Sequence, residues 1–359
     1  MKNLFPGFVR KTQEEIASLW DNAIICLDTN VLLDLYRYSD ETRSAVMKLF
    51  FEIKDNIYLP KHVAWEYQKN RYDVILQQHD PYHAIEKEVK SVLDKINSDT
   101  AHPFFSKKLL NLATNFSNLI TEESEKARAT FDAQLNNDTI FEQLCELFEG
   151  KVGGELDSKL DIEKLGNERY KGKIPPGYMD IKKEENRFGD LIIWLQIIEI
   201  ANDKKKPILL VTNDVKEDWL WVGKGERKLG PRPELVAEIL EKSGQLFHIS
   251  STFNFLKFGN NHLKRAKVSE KVINEIKDFD DKRLSNDIFN EMRQLHLKWL
   301  RLKKEAESGS YSDQEKIDLI SVINQARLLK IKNNIYNKVS GEIVNRYLSN
   351  ILKNTTLQQ

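Results

Sequence analysis

Four short apolar runs punctuate the chain: Ala23–Leu27, Asn56–Leu59, Ile208–Val211 and Leu246–Ser250. The first and third show no polar alternation, which suits strands buried on both faces, as in a parallel sheet covered by helices. The residues between the runs repeat with helical period. Val46, Leu49, Phe50 and Ile53 mark one helix over Glu41–Ile53, and Val63, Ala64 and Tyr67 mark another over Lys61–Arg71. Val31–Tyr38 begins a helix directly after the first run, and Phe188–Ala201 is apolar around most of its circumference. At the N-terminus, Thr12 and Glu15 have the spacing of a capping box, with Ile16, Leu19 and Trp20 on the apolar side of the helix that follows. Strands alternating with helices predict an α/β fold with a parallel central sheet.

Two regions depart from this alternation. Residues 74–169 hold long amphipathic stretches, Ile85–Ile96, Phe104–Ile120 and Glu122–Phe148, with no evident strand. That is too long for an ordinary crossover and reads as a helical insertion that covers or flanks the functional edge. From Gly259 to Gln359 the pattern predicts a helical region: Val268–Phe279, Leu284–Glu305 and Asp313–Leu352, the last broken near Lys332–Asn334, with Ser308–Ser310 as a linker. Its packing candidates are Leu295, Trp299, Leu302, Leu319, Ile323, Leu328, Ile331, Val339, Ile343 and Tyr347. The division is therefore 1–258 for the sheet domain and 259–359 for the helical region.

Composition narrows the class. With 40% hydrophobic and 31% charged residues and a net charge of zero, the 359 residues describe a globular, helix-rich protein. The N-terminal MKNLFPGFVRK has no long apolar run and no segment approaches a membrane span, so the expected location is cytoplasmic. Two cysteines exclude a disulfide framework and fit a reducing compartment. The charge is uneven: the C-terminal region is net cationic and the remainder net anionic. A basic tail beside an acidic cleft suits a phosphate backbone, although a solvated helix face accounts for it equally well.

The candidate chemistry lies at the ends of the apolar runs. The first discharges into Asp28-Thr29-Asn30 and the third into Thr212-Asn213-Asp214. Asp190 opens the apolar helix, and Glu66 lies in the first turns after the second run. Capping explains any one of these acids. Four at one sheet edge would repel one another when alone and suit one or two hard cations. Asp218 is a reserve ligand, placed on the same face as Asp214 if a helix begins that early. The segment Glu168–Asp180, ERYKGKIPPGYMD, is a stiff basic and aromatic loop suited to guiding a polyanion. Phosphate-cradling GxxxxGK[ST] and GxGxxG patterns are absent, and the seven histidines form no zinc signature.

The ordered stretches LDTNVLLDLYRY (27–38), LPKHVAWEYQKNR (59–71), PPGYMD (175–180), RFGDLIIW (187–194) and LLVTNDVKEDW (209–219) resemble a PIN domain, specifically the large bacterial PIN-like subgroup. The resemblance implies a Rossmann-like three-layer α/β/α fold. It also implies a metal-dependent nuclease, usually acting on RNA, with acids corresponding to Asp28, Glu66, Asp190 and Asp214. Such proteins serve as toxins, RNA-processing enzymes or components of antiviral defence. The large insertion and the C-terminal helices depart from the pattern.

The residue types then suggest roles. Asp28 and Asp214 are principal ligands of Mg²⁺ or Mn²⁺, Asp190 a direct or water-mediated ligand, and Glu66 a ligand or water-orienting base. Thr29, Asn30, Thr212 and Asn213 brace the acids, and Lys61, Arg169, Lys171, Lys173 and Arg187 steady the substrate backbone. The expected activity is an endoribonuclease with RNA as partner. A catalytically silent nucleic-acid or protein scaffold, a DNA structure-specific nuclease, and homo-oligomer or partner contacts through the C-terminal helices remain open alternatives.

Overall fold

The structure, a computed structural model, describes residues 1, 4–97, 102, 104–214, 216–223, 228–262, 267–307, 313–336, 346–349 and 351–352. Two compact units divide the chain: residues 1–221 with 229–268, and residues 222–228 with 269–359.

The first unit opens with α1 (Gln13–Asn22), whose N-terminus is closed by the reciprocal Thr12–Glu15 capping box. The fully buried β1 (Ile24–Leu27) runs into α2 (Thr29–Asp34), followed by α3 (Asp40–Glu52), β2 (Ile57–Tyr58) and α4 (Lys61–Gln77). After the insertion come α9 (Gly189–Lys204), β3 (Ile208–Val211), α10 (Pro233–Ser243), β6 (Phe247–Ser250) and α11 (Thr252–His262). The sheet order is β2-β1-β3-β6, every pair parallel, and helices flank it. The register pairs Leu27 with Val211 and Val211 with Ser250, so the residues after β1, β3 and β6 emerge at one edge. That carboxyl edge is where open α/β sheets hold ligands.

The core is apolar on both faces of β1 and β3, as their unbroken hydrophobic runs require. Trp194, fully buried on α9, meets Phe247 of β6 edge-on at 5.0 Å, and Trp20 stacks on Phe255 at 4.5 Å. These aromatic pairs lock the covering helices and the sheet into one body.

The insertion holds α5 (Asp80–Ile96), α6 (Lys107–Asn136), α7 (Thr139–Leu147) and α8 (Ile162–Lys171). It is not wholly helical: Val152 forms a parallel bridge with Leu59, where Leu59 N donates to Lys151 O and Gly153 N to Leu59 O. The insertion thus extends the exposed edge beside β2. A buried polar knot ties α7 to the sheet unit. Tyr36 Oη contacts Tyr67 Oη and donates to Asp138, both at 2.7 Å, while the Arg71 guanidinium lies 4.0 Å from the Phe141 ring centroid.

Between β3 and α10 the chain forms a two-stranded ribbon, β4 (Leu220–Val222) with β5 (Lys228–Pro231). Sequence patterning gives a basic turn here, because Gly230 and Pro231 mask a short strand. Of that turn, Lys224–Arg227 lie outside the described residues.

In the second unit, α12 runs unbroken from Glu270 to Glu307. The expected interruption between Phe279 and Leu284 does not occur; the polar run is a charged helix surface on which Arg283 pairs with Asp280 one turn away. Ile288, Met292, Leu295, Trp299 and Leu302 follow a near-heptad spacing and pack with Val322, Ile323, Ala326 and Leu329 of α13 (Asp313–Tyr336). Helix α13 continues through the expected break at Lys332–Asn334. Leu328 is 66% exposed; its neighbour Leu329 fills the seam instead. The Ser308–Ser310 linker, Val339 and Ile343 lie outside the described residues, as does the side chain of Ile331. Among the described residues no helix is long and apolar enough to cross a membrane.

Candidate active site

Asp28 follows β1 directly and caps α2, its Oδ1 accepting from Thr29 N at 2.7 Å. Its Oδ2 accepts from Asn30 Nδ2 at 2.6 Å and Thr212 Oγ1 at 2.5 Å. The cap uses one oxygen of this carboxylate, and the links to Asn30 and to Thr212 after β3 use the other. Asn213 joins the two strand ends: its N–H donates to Asn30 Oδ1, its Nδ2 to the fully buried Asp34, and its Oδ1 accepts from Thr252 N. The polar residues after β1 and β3 therefore form one interlocked brace.

Glu66 projects from α4 toward this brace. Its Oε2 accepts from Thr29 Oγ1 and its Oε1 from Asn186 Nδ2, both at 2.5 Å. Asn186 Oδ1 in turn lies 2.9 Å from His62 Nε2. Because the Asn186 amide nitrogen donates to Glu66, its oxygen must accept, which places the proton on His62 Nε2.

Asp190, in the first turn of α9, and Asp214, after β3, meet at a residue that strand-end patterning does not reveal. Lys216 Nζ lies 3.3 Å from Asp190, 3.2 Å from Asp214 and 3.0 Å from Asp180. Asp180, the last residue of the PPGYMD stretch, is thus a third acid around one ammonium. A lysine two positions after a strand-end aspartate, and an acid closing a stiff loop, are the sequence signals that point to these two residues.

Burial raises Asp190 to about 7; Lys216 opposes the shift, and Asp214, Asp180 and Asp28 add to it. Burial likewise raises Asp28 to about 6, with hydrogen bonds from Thr212 opposing and the charges of Asp214 and Glu66 reinforcing. Burial alone would lower Lys216, but the three carboxylates raise it instead. The acids thus act on one another electrostatically, and a single resident cation partly offsets them. Asp190 and Asp214 each keep 19% of the side chain exposed.

The other expected residues divide by environment. Arg169 is buried, with both terminal nitrogens at 2.8 Å from the Glu238 carboxylate and one also donating to Pro175 O. Its planar fork is consumed inside the protein and does not face a substrate. Lys61, Lys171 and Lys173 are exposed, and Arg187 lies over the Phe188 ring and donates to Asn167. Asp218 does not share a helix with Asp214, since residues 217–219 form a turn. It is fully buried and accepts from Gly177 N and Met179 N at 3.0 and 3.1 Å, fastening the 175–180 loop. That loop approaches the site closely: a Cβ on Gly177, whose φ is +90°, would lie 2.2 Å from Tyr170 Oη and 3.2 Å from Asp190 Cβ.

A family model described as a PIN like domain matches residues 24–235, more than half of the chain, including Asp28, Glu66, Asp180, Asp190, Asp214 and Lys216. The chain belongs to the PIN-like domain family. No curated protein matches it, and no solved structure does. PIN-like domains are generally nucleases and typically use divalent metals, which implies nucleic acid as a ligand.

The donor set fits such an ion in kind: carboxylate oxygens at a sheet edge, three of them already around a stand-in cation. Among the described residues no three Asp, Glu, His or Cys side chains close around a metal-sized point. The physical reason is visible in the contacts. Lys216 occupies the centre of one acid group, and Thr212 and Asn30 hold Asp28 in the other.

Proposed function

We propose that this chain is a Mg²⁺- or Mn²⁺-dependent endoribonuclease hydrolysing RNA phosphodiester bonds at Asp28, Glu66, Asp190 and Asp214. The observation that carries the reading is the three-carboxylate grip on Lys216 Nζ beside Asp28, at the carboxyl edge of the sheet. A stable fold gains little by gathering acids whose protonation burial and mutual repulsion disturb; such groups cluster where chemistry needs them.

In this reading Asp28, Asp190 and Asp214 are the metal ligands, with Asp180 a further candidate. When bound, a divalent ion lowers the pKa of a coordinated water and offsets charge on the phosphoryl oxygens. Glu66, fixed at both oxygens by Thr29 and Asn186, orients the attacking water or joins the ligands. Thr29, Asn30, Thr212 and Asn213 hold the acids in place through the hydrogen bonds described above. Lys216 Nζ must leave the carboxylates for an ion to take them, and the freed ammonium becomes a donor for a substrate phosphate. Lys61, Lys171, Lys173 and Arg187 remain candidates for backbone contacts. A toxin or defence effector acting in the cytoplasm is the biological setting that the family suggests.

The test is cleavage of an RNA panel by the purified chain with Mg²⁺, Mn²⁺ or chelator. The wild type should cut with either ion and stop in chelator, and Asp28→Asn and Asp190→Asn should lose activity. Metal-insensitive cleavage, or full activity in both variants, contradicts the proposal. Binding without turnover identifies a scaffold, and preference for a matched DNA substrate identifies a DNA nuclease.

A further inference from the structure

Among the described residues Trp65 is the one tryptophan left exposed. Trp20, Trp194, Trp219 and Trp299 are each no more than 6% exposed and Trp221 is half-buried, whereas Trp65 on α4 is 48% exposed. An indole left in water forgoes a large burial gain, so its position calls for a reason beyond packing. Its neighbours supply one. Lys61, Trp65 and Lys69 stand at i, i+4 and i+8, a basic-aromatic-basic stripe about 12 Å long on the exposed side of the helix.

A second stripe, His62 and Glu66, runs alongside, and the two are joined. The His62 ring stacks on Trp65 with centroids 5.0 Å apart and planes 27° from parallel. His62 then reaches the acid site through Asn186, which bonds both His62 Nε2 at 2.9 Å and Glu66 Oε1 at 2.5 Å. One face of the indole is thereby supported by a ring fixed to the proposed catalytic acid. Lys69 Nζ lies 5.4 Å from the Trp65 ring centroid. It is a flexible cation that an incoming ring can displace.

We propose that this stripe is a stacking platform for single-stranded RNA, seating one unpaired base on Trp65 with Lys61 and Lys69 on flanking phosphates. Stacking on an aromatic ring is open to any base but requires that the base be free of its own helix, so the platform selects unpaired strands. The lysines now pair with Glu155 and Glu185. Both pairs are exposed, of the kind whose contribution to stability is small, and phosphates can replace the partners. The inference rests on the nuclease reading, and it names the substrate form and the residue that positions it beside Glu66.

The experiment uses the full chain carrying Asp190→Asn and a fluorescent oligouridine, free or annealed into a duplex, with anisotropy as the readout. Trp65→Ala should weaken single-strand binding about tenfold, within the range for one stacked base, and Trp65→Phe should restore most of it. Replacing the oligouridine with a strand that is abasic throughout should erase the difference between the parent chain and its Trp65→Ala variant. Duplex binding should not respond to either substitution. Circular dichroism melting of both variants checks that the exposed position leaves the fold intact. If the wild type cleaves RNA and the Asp190→Asn parent binds it, but Trp65→Ala binds it equally well, the platform is overturned and the nuclease reading stands. If the wild type does not cleave RNA and the Asp190→Asn parent does not bind it, both are overturned.

Discussion

The Glu238 carboxylate and the acids Asp28 and Asp190 lie near the 175–180 loop, and their proton affinities move in opposite directions. On one side Glu238 is half-buried, yet hydrogen bonds from Arg169, Lys242 and Trp194 outweigh desolvation and hold it down at about 2. On the other, burial pushes Asp190 up to about 7, with Asp214, Asp180 and Asp28 adding to the shift and Lys216 only partly compensating, and burial with the charges of Asp214 and Glu66 pushes Asp28 up to about 6. Glu238 has its acceptor oxygens matched to donors and serves the fold. Asp28 and Asp190 are short of positive charge, and a divalent ion is what would supply it.

The largest expected effect separates activity from stability. Asp190→Asn should lower RNA cleavage by about two orders of magnitude or more while melting no lower than wild type in chelator at pH 8. A variant that loses activity only because it unfolds would erase the contrast. Next, Arg169→Met should cost roughly 3 kcal/mol of stability by removing both guanidinium bonds to the half-buried Glu238 carboxylate, measured by urea unfolding. If its unfolding midpoint is unchanged, the Arg169–Glu238 pair is not the anchor described. Lys216→Met should then tighten Mn²⁺ binding roughly tenfold by calorimetry, since it removes the competing cation. An unchanged isotherm would mean that the ammonium does not occupy the ion's place.

The smallest effect is on pH dependence. Asp28 and Asp190 titrate above the usual carboxylate range in the folded chain and near 4 when unfolded. Between those values the folded state holds protons that the unfolded state has released, so metal-free stability should fall as pH rises from about 4 to about 7. Glu238 acts in the opposite sense: its contribution is present above its unfolded value and lost as pH falls toward about 2. Melting curves in chelator should show the first slope in wild type and a shallower one in Asp190→Asn. Equal slopes would remove Asp190 from the explanation.

The sheet was legible because β1 and β3 are apolar without interruption, a pattern that by itself assigns their terminal acids to one edge. Residues whose roles depend on a long-range partner were not. Arg169 lies in a basic loop sequence that reads as exposed; only the arrival of Glu238, 69 positions later, makes it a buried anchor. Lys216 gains its role only where Asp180 and Asp190 converge on it, and both partners lie more than 25 positions away in the chain. Asp218 has the spacing of a helical ligand, but the chain turns at 217–219 and spends that carboxylate on the backbone of the 175–180 loop.

The most direct test of the central claim is anomalous diffraction from crystals of this chain soaked in Mn²⁺. The account predicts a peak bounded by Asp28, Asp190 and Asp214, with Lys216 Nζ withdrawn from the acids. A soaked crystal with no peak there, and Lys216 still seated among Asp180, Asp190 and Asp214, would contradict it.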